Sequence, residues 1–430
     1  MRYLAKRGVA VSATDTRTAP PGLAELGGLA KTLDIRLGGF DLSLLDGASQ
    51  VLMSPGVSLD EPIASQARAR GIEVLGDIEL FARAVRAPVV GITGTNGKST
   101  VTSLVAAMAA AAGRRVLAGG NLGEPALDLL EQPPPDLYVL ELSSFQLETT
   151  YSLELKAAAV LNVTADHLDR YGSIAAYARA KERIFARAST VVLNADDPHV
   201  AAMRPTAARG RARTLTFSIH RPDADFTLQK SSARTLLARQ GVPLLDISRM
   251  KITGLHNAAN ALAALALGEA AGLELPAMLA ALEAFPGLKH RSAWIADIAG
   301  VRYIDDSKGT NVGATIAAVS GMEDPLVLIA GGEGKGQDFA PLAAAFKDKV
   351  RHVVLIGKDA PALEAALAGV CTTERAATLE AAVAAAAAAA RPGEAVLLSP
   401  ACASFDMFRD YRHRGDIFAA AVRALAGPLP

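Results

Sequence analysis

The run Gly94-Thr95-Asn96-Gly97-Lys98-Ser99-Thr100 holds the clearest chemistry in the chain. Its glycines let the backbone fold closely around anionic oxygens. Lys98 offers a point charge to the outer phosphates of a nucleotide, and the hydroxyls of Ser99 and Thr100 are hard donors for Mg²⁺. Residues 88–93 read as an apolar strand and a helix runs on to Gly113, so unpaired N–H groups at the helix start face the anion. The match to the general phosphate-loop pattern is imperfect, because its leading glycine would fall on Ile92. Such a loop points to nucleotide phosphate and leaves kinase, GTPase, motor and ligase open.

Three further residues narrow the field. Glu141, in Leu140-Glu141-Leu142-Ser143-Ser144-Phe145-Gln146, closes an apolar strand. Ligands of open α/β sheets bind beyond the carboxyl ends of strands, where Glu141 would meet a metal on the phosphates. His167, in Asn162-Val163-Thr164-Ala165-Asp166-His167, ends another strand and could give a neutral imidazole to a second divalent ion. Lys181 lies on a helix for which Ser173 is the expected N-cap. Taken singly, each has an ordinary explanation: a solvated strand-end carboxylate, a structural histidine, a surface lysine.

The elements that must position them alternate between strand and helix, which predicts an α/β fold with parallel sheets. Three domains are expected: 1–85, 86–286 and 287–430. In the first, a helical stretch ends near Gly8, a strand covers 9–14, Pro20-Pro21-Gly22 breaks the chain, and a second strand and turn lie at 51–56. In the second, strands at 137–142, 157–163 and 190–193 follow the loop. Segments 214–218, 225–229 and 242–248 read as an antiparallel appendage, and a long helix begins near His256. In the third, strands at 301–304, 326–330, 352–356 and 395–398 alternate with helices, including the Ala-rich 381–390, and a last helix runs from Phe405 to Ala426.

Composition excludes several classes. The 44 basic and 44 acidic residues cancel, which argues against a general nucleic-acid binder. Cys371 and Cys402 are too few for a disulfide framework or a cysteine zinc site, and fit a reducing compartment. No apolar run approaches the ~20 residues that cross a bilayer, and the first residues lack a secretory apolar segment. A cytoplasmic location without membrane insertion is expected.

Taken together, the 94–100 loop, Leu140–Gln146, Asn162–His167, Lys181, His256-Asn257-Ala258-Ala259-Asn260 and His290-Arg291 resemble the Mur ligases in order and spacing over nearly the whole chain. That resemblance implies an incomplete Rossmann-like N-terminal domain for a UDP-linked substrate, a central P-loop ATPase-type domain, and a Rossmann-like C-terminal domain for the amino acid. It implies that Gly94, Thr95, Asn96, Gly97, Lys98, Ser99 and Thr100 cradle ATP and Mg²⁺. Lys98, Glu141, His167 and Lys181 are then the catalytic set. Ser99, Glu141, His167 and a carbamylated Lys181 would serve two magnesium sites, since carbamylation turns a cation into an anion. Asn257 and Asn260 would meet the adenine region, and Arg291 and Asp306 would reach ATP from the third domain. Thr16 and Arg17 (in Asp15-Thr16-Arg17), Asn121, Ser143 and Gln146 would contact the UDP-linked acceptor.

The last third resembles the D-glutamate-adding branch of that family, through Asp305-Asp306-Ser307-Lys308-Gly309-Thr310-Asn311 and Ser399-Pro400-Ala401-Cys402-Ala403-Ser404-Phe405-Asp406. By that likeness Lys308, Thr310, Lys335 and Ser404 bind glutamate and Tyr411 closes the pocket. Phenylalanine is usual at Tyr411 and alanine is common at Gly309; the added hydroxyl requires a partner if buried. The reaction implied is ATP-driven amide formation between D-glutamate and UDP-N-acetylmuramoyl-L-alanine through an acyl phosphate, by a monomer. The alternatives are another Mur ligase, including an L-glutamate-adding one, a folylpolyglutamate synthase-like ligase, or a non-catalytic nucleotide-binding regulator. Joint retention of Lys98, Glu141, His167, Lys181 and Lys335 speaks against the regulator. The family's first domain usually opens with a strand and a glycine-rich turn, whereas this chain starts within the following helix; an upstream start and a gap in the first sheet are expected.

Overall fold

The computed structural model describes residues 1–20, 22–121, 123–203, 212–231, 234–322 and 324–425. Pro21 of the expected chain break, Leu122 beside Asn121, and Ala426, the expected end of the last helix, lie outside the described residues.

The N-terminal region contains two parallel strand pairs that are not hydrogen-bonded to each other: β1 (Ser12–Asp15) with β2 (Asp34–Leu37), and β3 (Gln50–Met53) with β4 (Glu73–Gly76). The first strand starts at Ser12 and not at residue 9, because Val9 N turns back to Leu4 O (3.2 Å) and finishes the short helix Arg2–Ala5. Leu45, Met53, Ile63, Ala64, Ala67 and Val74 form a small core around β3 and β4.

The middle sheet has nine strands: β5 (Val89–Thr93), β6 (Val116–Gly120), β7 (Leu137–Glu141), β8 (Ala157–Val160), β9 (Thr190–Asn194), β10 (Arg213–Ser218), β11 (Phe226–Ser231), β12 (Arg234–Arg239) and β13 (Val242–Asp246). They lie in the order β13-β12-β11-β10-β9-β8-β5-β7-β6. Strands β5, β7 and β8 are buried along their whole length, as parallel strands covered on both faces must be. Helices Lys98–Ala111, Leu255–Ala271 and Leu275–Ala284 pack on one face, and Asp77–Ala84, Ser144–Glu148 and Ile174–Glu182 on the other.

The structure does not form the expected antiparallel appendage. Strand β10 pairs parallel with β9, and β11 parallel with β10, so both continue the main sheet; only the pairs β11–β12 and β12–β13 are antiparallel. Asp225 fixes this junction by accepting from Thr216 N (2.9 Å) and Thr216 Oγ1 (3.0 Å).

The C-terminal sheet joins β14 (Ala293–Ile298), β15 (Val301–Asp305), β16 (Leu326–Gly331), β17 (Val350–Ile356), β18 (Thr372–Arg375) and β19 (Ala395–Leu398) in the order β14-β15-β19-β16-β17-β18. All its pairs are parallel except β14 with β15. Edge strands β14 and β18 are not among the four expected strands: β18 lacks an apolar run, whereas β14 carries Ala293-Trp294-Ile295-Ala296. The last helix begins at Tyr411 and not at Phe405: Met407 N and Phe408 N close a separate turn on Ser404 O, and Asp410 then caps the helix, its Oδ1 accepting from His413 N (2.8 Å). Among the described residues, no helix is long and apolar enough to cross a membrane.

Candidate active site

The loop after β5 folds as its glycines permit. Gly97 has φ +83°, and a Cβ there would meet Asn260 Oδ1 at 2.4 Å. Asn162, just past β8, staples the loop: its Oδ1 accepts from Asn96 N (2.8 Å), its Nδ2 donates to Asn96 O (3.0 Å), and its carbonyl accepts from Thr95 N (2.9 Å). Two lysines then converge. Lys98 Nζ donates to Gly94 O (2.9 Å) and Thr95 O (2.8 Å), and Lys181 Nζ donates to the same Gly94 O (2.9 Å).

Burial pushes both lysines below their usual range, Lys181 well below, with the Lys98 charge as its second cause. The helix that carries Lys181 starts at the predicted cap, where Ser173 accepts from Ala176 N (3.2 Å). The ring of Tyr177, one turn earlier, lies 4.2 Å from Lys181 Nζ.

Glu141, at the end of β7, accepts from Ser99 Oγ and from Asn121 Nδ2, each at 2.6 Å. Burial opposes its ionisation, but the Lys98 charge and these two donors outweigh it and hold the carboxyl below its usual range. Arg291 Nη2 reaches across from the third domain to Ser99 Oγ (2.7 Å). His167 sits in the left-handed region (φ +53°), edge-on to Phe145 with ring centroids 4.8 Å apart. Burial, then the nearby lysines against Asp166, lowers its pKa, which leaves a neutral imidazole.

Asp306 follows β15. It accepts from Ser399 Oγ (2.8 Å) and Ser292 N (3.1 Å), and burial pushes it up to about 7 against Ser399 and the Arg291 charge. Lys308 is pushed down to about 8 by burial and by Arg291 and Lys98, with Nζ 4.2 Å from the centre of the Tyr411 ring. The added hydroxyl of Tyr411 finds its partner in Arg412 Nε (3.3 Å). Fully buried Arg414 supports this loop by donating to Ser307 Oγ (3.0 Å), Ser307 O (2.8 Å) and Cys402 O (3.2 Å). Lys335 lies on a glycine-rich loop at φ +51°. A two-bond bridge between Glu333 and Ala403 (3.0 and 2.9 Å) brings that loop beside Ser404.

Two cavities result. The first, about 290 Å³, is lined by Asn96, Gly97, Thr100, Asn257, Asn260, Arg291, Asp306 and Lys308 among others. The second, about 280 Å³, gathers Thr95, Asn96, Gly97, Lys98, Asn121, Glu141, Ser143, His167 and Lys181 from the middle domain. From the third domain it takes Arg291, Lys308, Thr310, Lys335, Ser404 and Tyr411. Arg291 and Lys308 border both.

Other expected residues stand elsewhere. Gly94 contributes its carbonyl from behind the loop, and Ser99 is reached through Glu141 and Arg291. Gln146 lines neither cavity. Its Oε1 accepts from Ser143 N (3.0 Å) in a capping box, and its Nε2 donates to Asp77 (3.2 Å), so both ends of its amide are engaged. Thr16 and Arg17 are exposed at the end of β1, and Arg17 forks onto Asp15 at 2.9 and 2.7 Å. Sequence reasoning passed over Phe145, Asp166, Tyr177, Asn311 and Phe405, all on the second cavity, and His256 on the first. The N-cap type of Asn311 before an apolar helix was the one readable signal.

The donors suit magnesium. The Ser99 hydroxyl and the Glu141 carboxylate set hard oxygens 2.6 Å apart beside the loop. Among the described residues no three His, Cys, Asp or Glu side chains gather at one point. Mg²⁺ requires no such cage, since one or two carboxylates, water and substrate phosphates complete its shell.

Comparison with known proteins agrees with this geometry. Family models match in series: the Mur ligase MurD-like N-terminal domain over residues 1–76, the Mur ligase middle domain over 92–268, and the Mur ligase glutamate ligase domain over 290–402. A UDP-N-acetylmuramoylalanine--D-glutamate ligase of Nitrosococcus oceani is 54% identical over 99% of this chain and 93% of its own length. That of Methylococcus capsulatus is 50% identical over 99% and 92%. Among solved structures, a pseudomurein peptide ligase type C of Methanothermus fervidus shares the fold at a TM-score of 0.63, with 18% identity over 99% of this chain and 96% of that one. A folylpolyglutamate synthase of Mycobacterium tuberculosis shares it at 0.60, with 20% identity over 80% and 92%. Those two show architecture alone; the full-length relatives and the three consecutive domain matches show descent, and this chain belongs to the Mur ligase family, in its MurD-like branch.

Proposed function

We propose that this ligase joins D-glutamate to UDP-N-acetylmuramoyl-L-alanine at the expense of ATP, in the making of the peptidoglycan precursor. One observation carries the reading. The phosphate-loop cluster (Lys98, Glu141) and the expected glutamate contacts (Thr310, Lys335, Ser404) border a single cavity, so activation and amide formation share one place.

A carboxylate expels oxide poorly. An oxygen of the acceptor's carboxylate bonds to the γ-phosphorus as the bond from γ-phosphorus to the β-bridging oxygen breaks, giving an acyl phosphate and ADP. The amine nitrogen then attacks the acyl carbon, the carbon–oxygen bond to phosphate breaks, and the amine loses a proton. Lys98 transfers its hydrogen bonds from the Gly94 and Thr95 carbonyls to phosphate oxygens, and Arg291 adds charge from the other side. Ser99 and Glu141 would hold one Mg²⁺, and His167 with a carbamylated Lys181 a second, and the ions would neutralise the crowded phosphates there. Burial and the Lys98 charge favour the uncharged amine of Lys181, which is the form that takes up CO₂.

Asn257, Asn260 and Asp306 hold the nucleoside end. Lys308, Thr310, Lys335, Ser404 and Tyr411 receive the amino acid. Thr16, Arg17, Asn121 and Ser143 meet the UDP-linked acceptor, with Gln146 acting through the Ser143 cap. By this reading 1–85 binds the acceptor, 86–286 ATP and 287–430 glutamate. The enzyme works in the cytoplasm as a monomer, without nucleic acid or membrane.

The test is ADP and phosphate release by the purified chain. Release that requires both the UDP-linked acceptor and D-glutamate supports the reading. No release with any amino acid, or equal turnover of L-glutamate, overturns it.

A further inference from the structure

Asn311 opens the helix Val312–Gly321 and caps it, its Oδ1 accepting from Ala314 N at 2.8 Å. The same buried side chain faces the middle domain. Asn311 and Asn96 of the phosphate loop exchange two long amide contacts, 3.3 and 3.4 Å. Asn311 Nδ2 also lies 3.3 Å from Asp166 Oδ2, and Asp166 precedes His167.

The backbone on either side is tied to the opposite wall. Thr310 borders the second cavity. Val312 N donates to Gln337 Oε1 (3.0 Å), and Gln337 Nε2 donates to Gly334 O (2.9 Å), next to Lys335. The domains meet closely here: a Cβ on Gly313 would stand 3.0 Å from Thr164 Oγ1.

We propose that Asn311 is a positioning residue that couples filling of the amino-acid pocket to the phosphate loop, through its amide on Asn96 and Asp166. The proposal rests on the reading above, that one cavity takes both the triphosphate end and glutamate. Glutamate on Thr310 and Lys335 fixes the flanks of Asn311, and nucleotide on the loop fixes Asn96. Each ligand removes freedom the other would have to remove, so each tightens the other by the same factor.

Asn311→Asp and Asn311→Ser both retain an N-cap side chain. The first loses the amide donor and sets a carboxylate against Asp166; the second is too short to reach Asn96. The measurement is D-glutamate affinity of the full chain with the UDP-linked acceptor, with and without a non-hydrolysable ATP analogue and Mg²⁺. Steady-state kinetics and melting temperature are recorded alongside.

In the unsubstituted enzyme the analogue tightens glutamate binding. In both variants that gain shrinks about five- to tenfold, as loss of weak polar contacts predicts, and kcat/KM for glutamate falls in parallel. The melting temperature stays within about 2 °C. The losses from Asn96→Ala and Asn311→Ser do not multiply in the double variant.

Kinetics within twofold of the unsubstituted enzyme, losses that multiply, or a melting temperature that falls in step with activity in both variants would each overturn the proposal, the last by making Asn311 a helix cap alone. An unsubstituted chain that forms no ADP overturns the ligase reading and the coupling with it, whereas an active chain indifferent to both substitutions overturns the coupling alone.

Discussion

Lys98 and Lys181 share one acceptor, the carbonyl of Gly94. Two buried ammonium groups at one carbonyl repel each other, so the site favours a neutral Lys181, ready for CO₂. Stripping CO₂ from the buffer should lower turnover reversibly, and Lys181→Gln should abolish the response; it is checked by rates before and after adding bicarbonate. Asp306 makes a pH-dependent contribution of known sign. Its folded pKa, about 7, lies above the ordinary carboxylate value, so the stability it confers is full at low pH and is lost as pH rises through about 7. Asp306→Asn, which cannot titrate, should therefore gain in melting temperature relative to the parent between about pH 4 and about pH 7. A flat difference would show that Ser399 and Arg291 keep the group ionised throughout.

At the scale of elements, the phosphate loop depends on a backbone that only glycine adopts freely. Gly97→Ala would strain φ +83° and push Asn260 off its place, so nucleotide affinity should fall at least tenfold by calorimetry with the UDP-linked acceptor still bound. Ser173 caps the helix that delivers Tyr177 and Lys181. Ser173→Ala should cost about 1 kcal/mol, read as a lower denaturant midpoint, with catalysis reduced less than by Lys181→Gln. Strands β5, β7 and β8, the loop glycines and the Ser173 cap were legible because apolar runs and capping residues act locally. Strands β14 and β18 were not, since edge strands draw their stability from a neighbour; β12 lies inside its sheet, but its half-polar sequence pairs as readily as it loops. Asp225, just before β11, ties that strand to β10 through Thr216, a contact no hydrophobic pattern records.

For the molecule as a whole, the site is assembled from domains, and Arg170 is one of the ties. Its guanidinium donates to Pro55 O (3.2 Å) and Val57 O (3.4 Å) of the N-terminal region, pairs with Glu148 (2.5 Å), and lies over the Phe145 ring at 4.3 Å. Arg170→Ala should raise KM for the UDP-linked acceptor about tenfold, the worth of one charge-assisted bond, while KM for ATP moves less than twofold. Equal changes in both constants would mean that Arg170 supports the middle domain instead.

By itself the sequence determined the phosphate loop, the identity of the charged groups and the α/β alternation, because each is written in adjacent residues or a short period. Only the tertiary structure decided that Arg291 meets Ser99, that Lys98 and Lys181 meet at one carbonyl, that Gln146 serves a cap, and that Asn311 spans two domains. Those outcomes depend on which strand ends face one another across the cleft. Packing of whole sheets and helices sets that arrangement, and no stretch of chain encodes it alone.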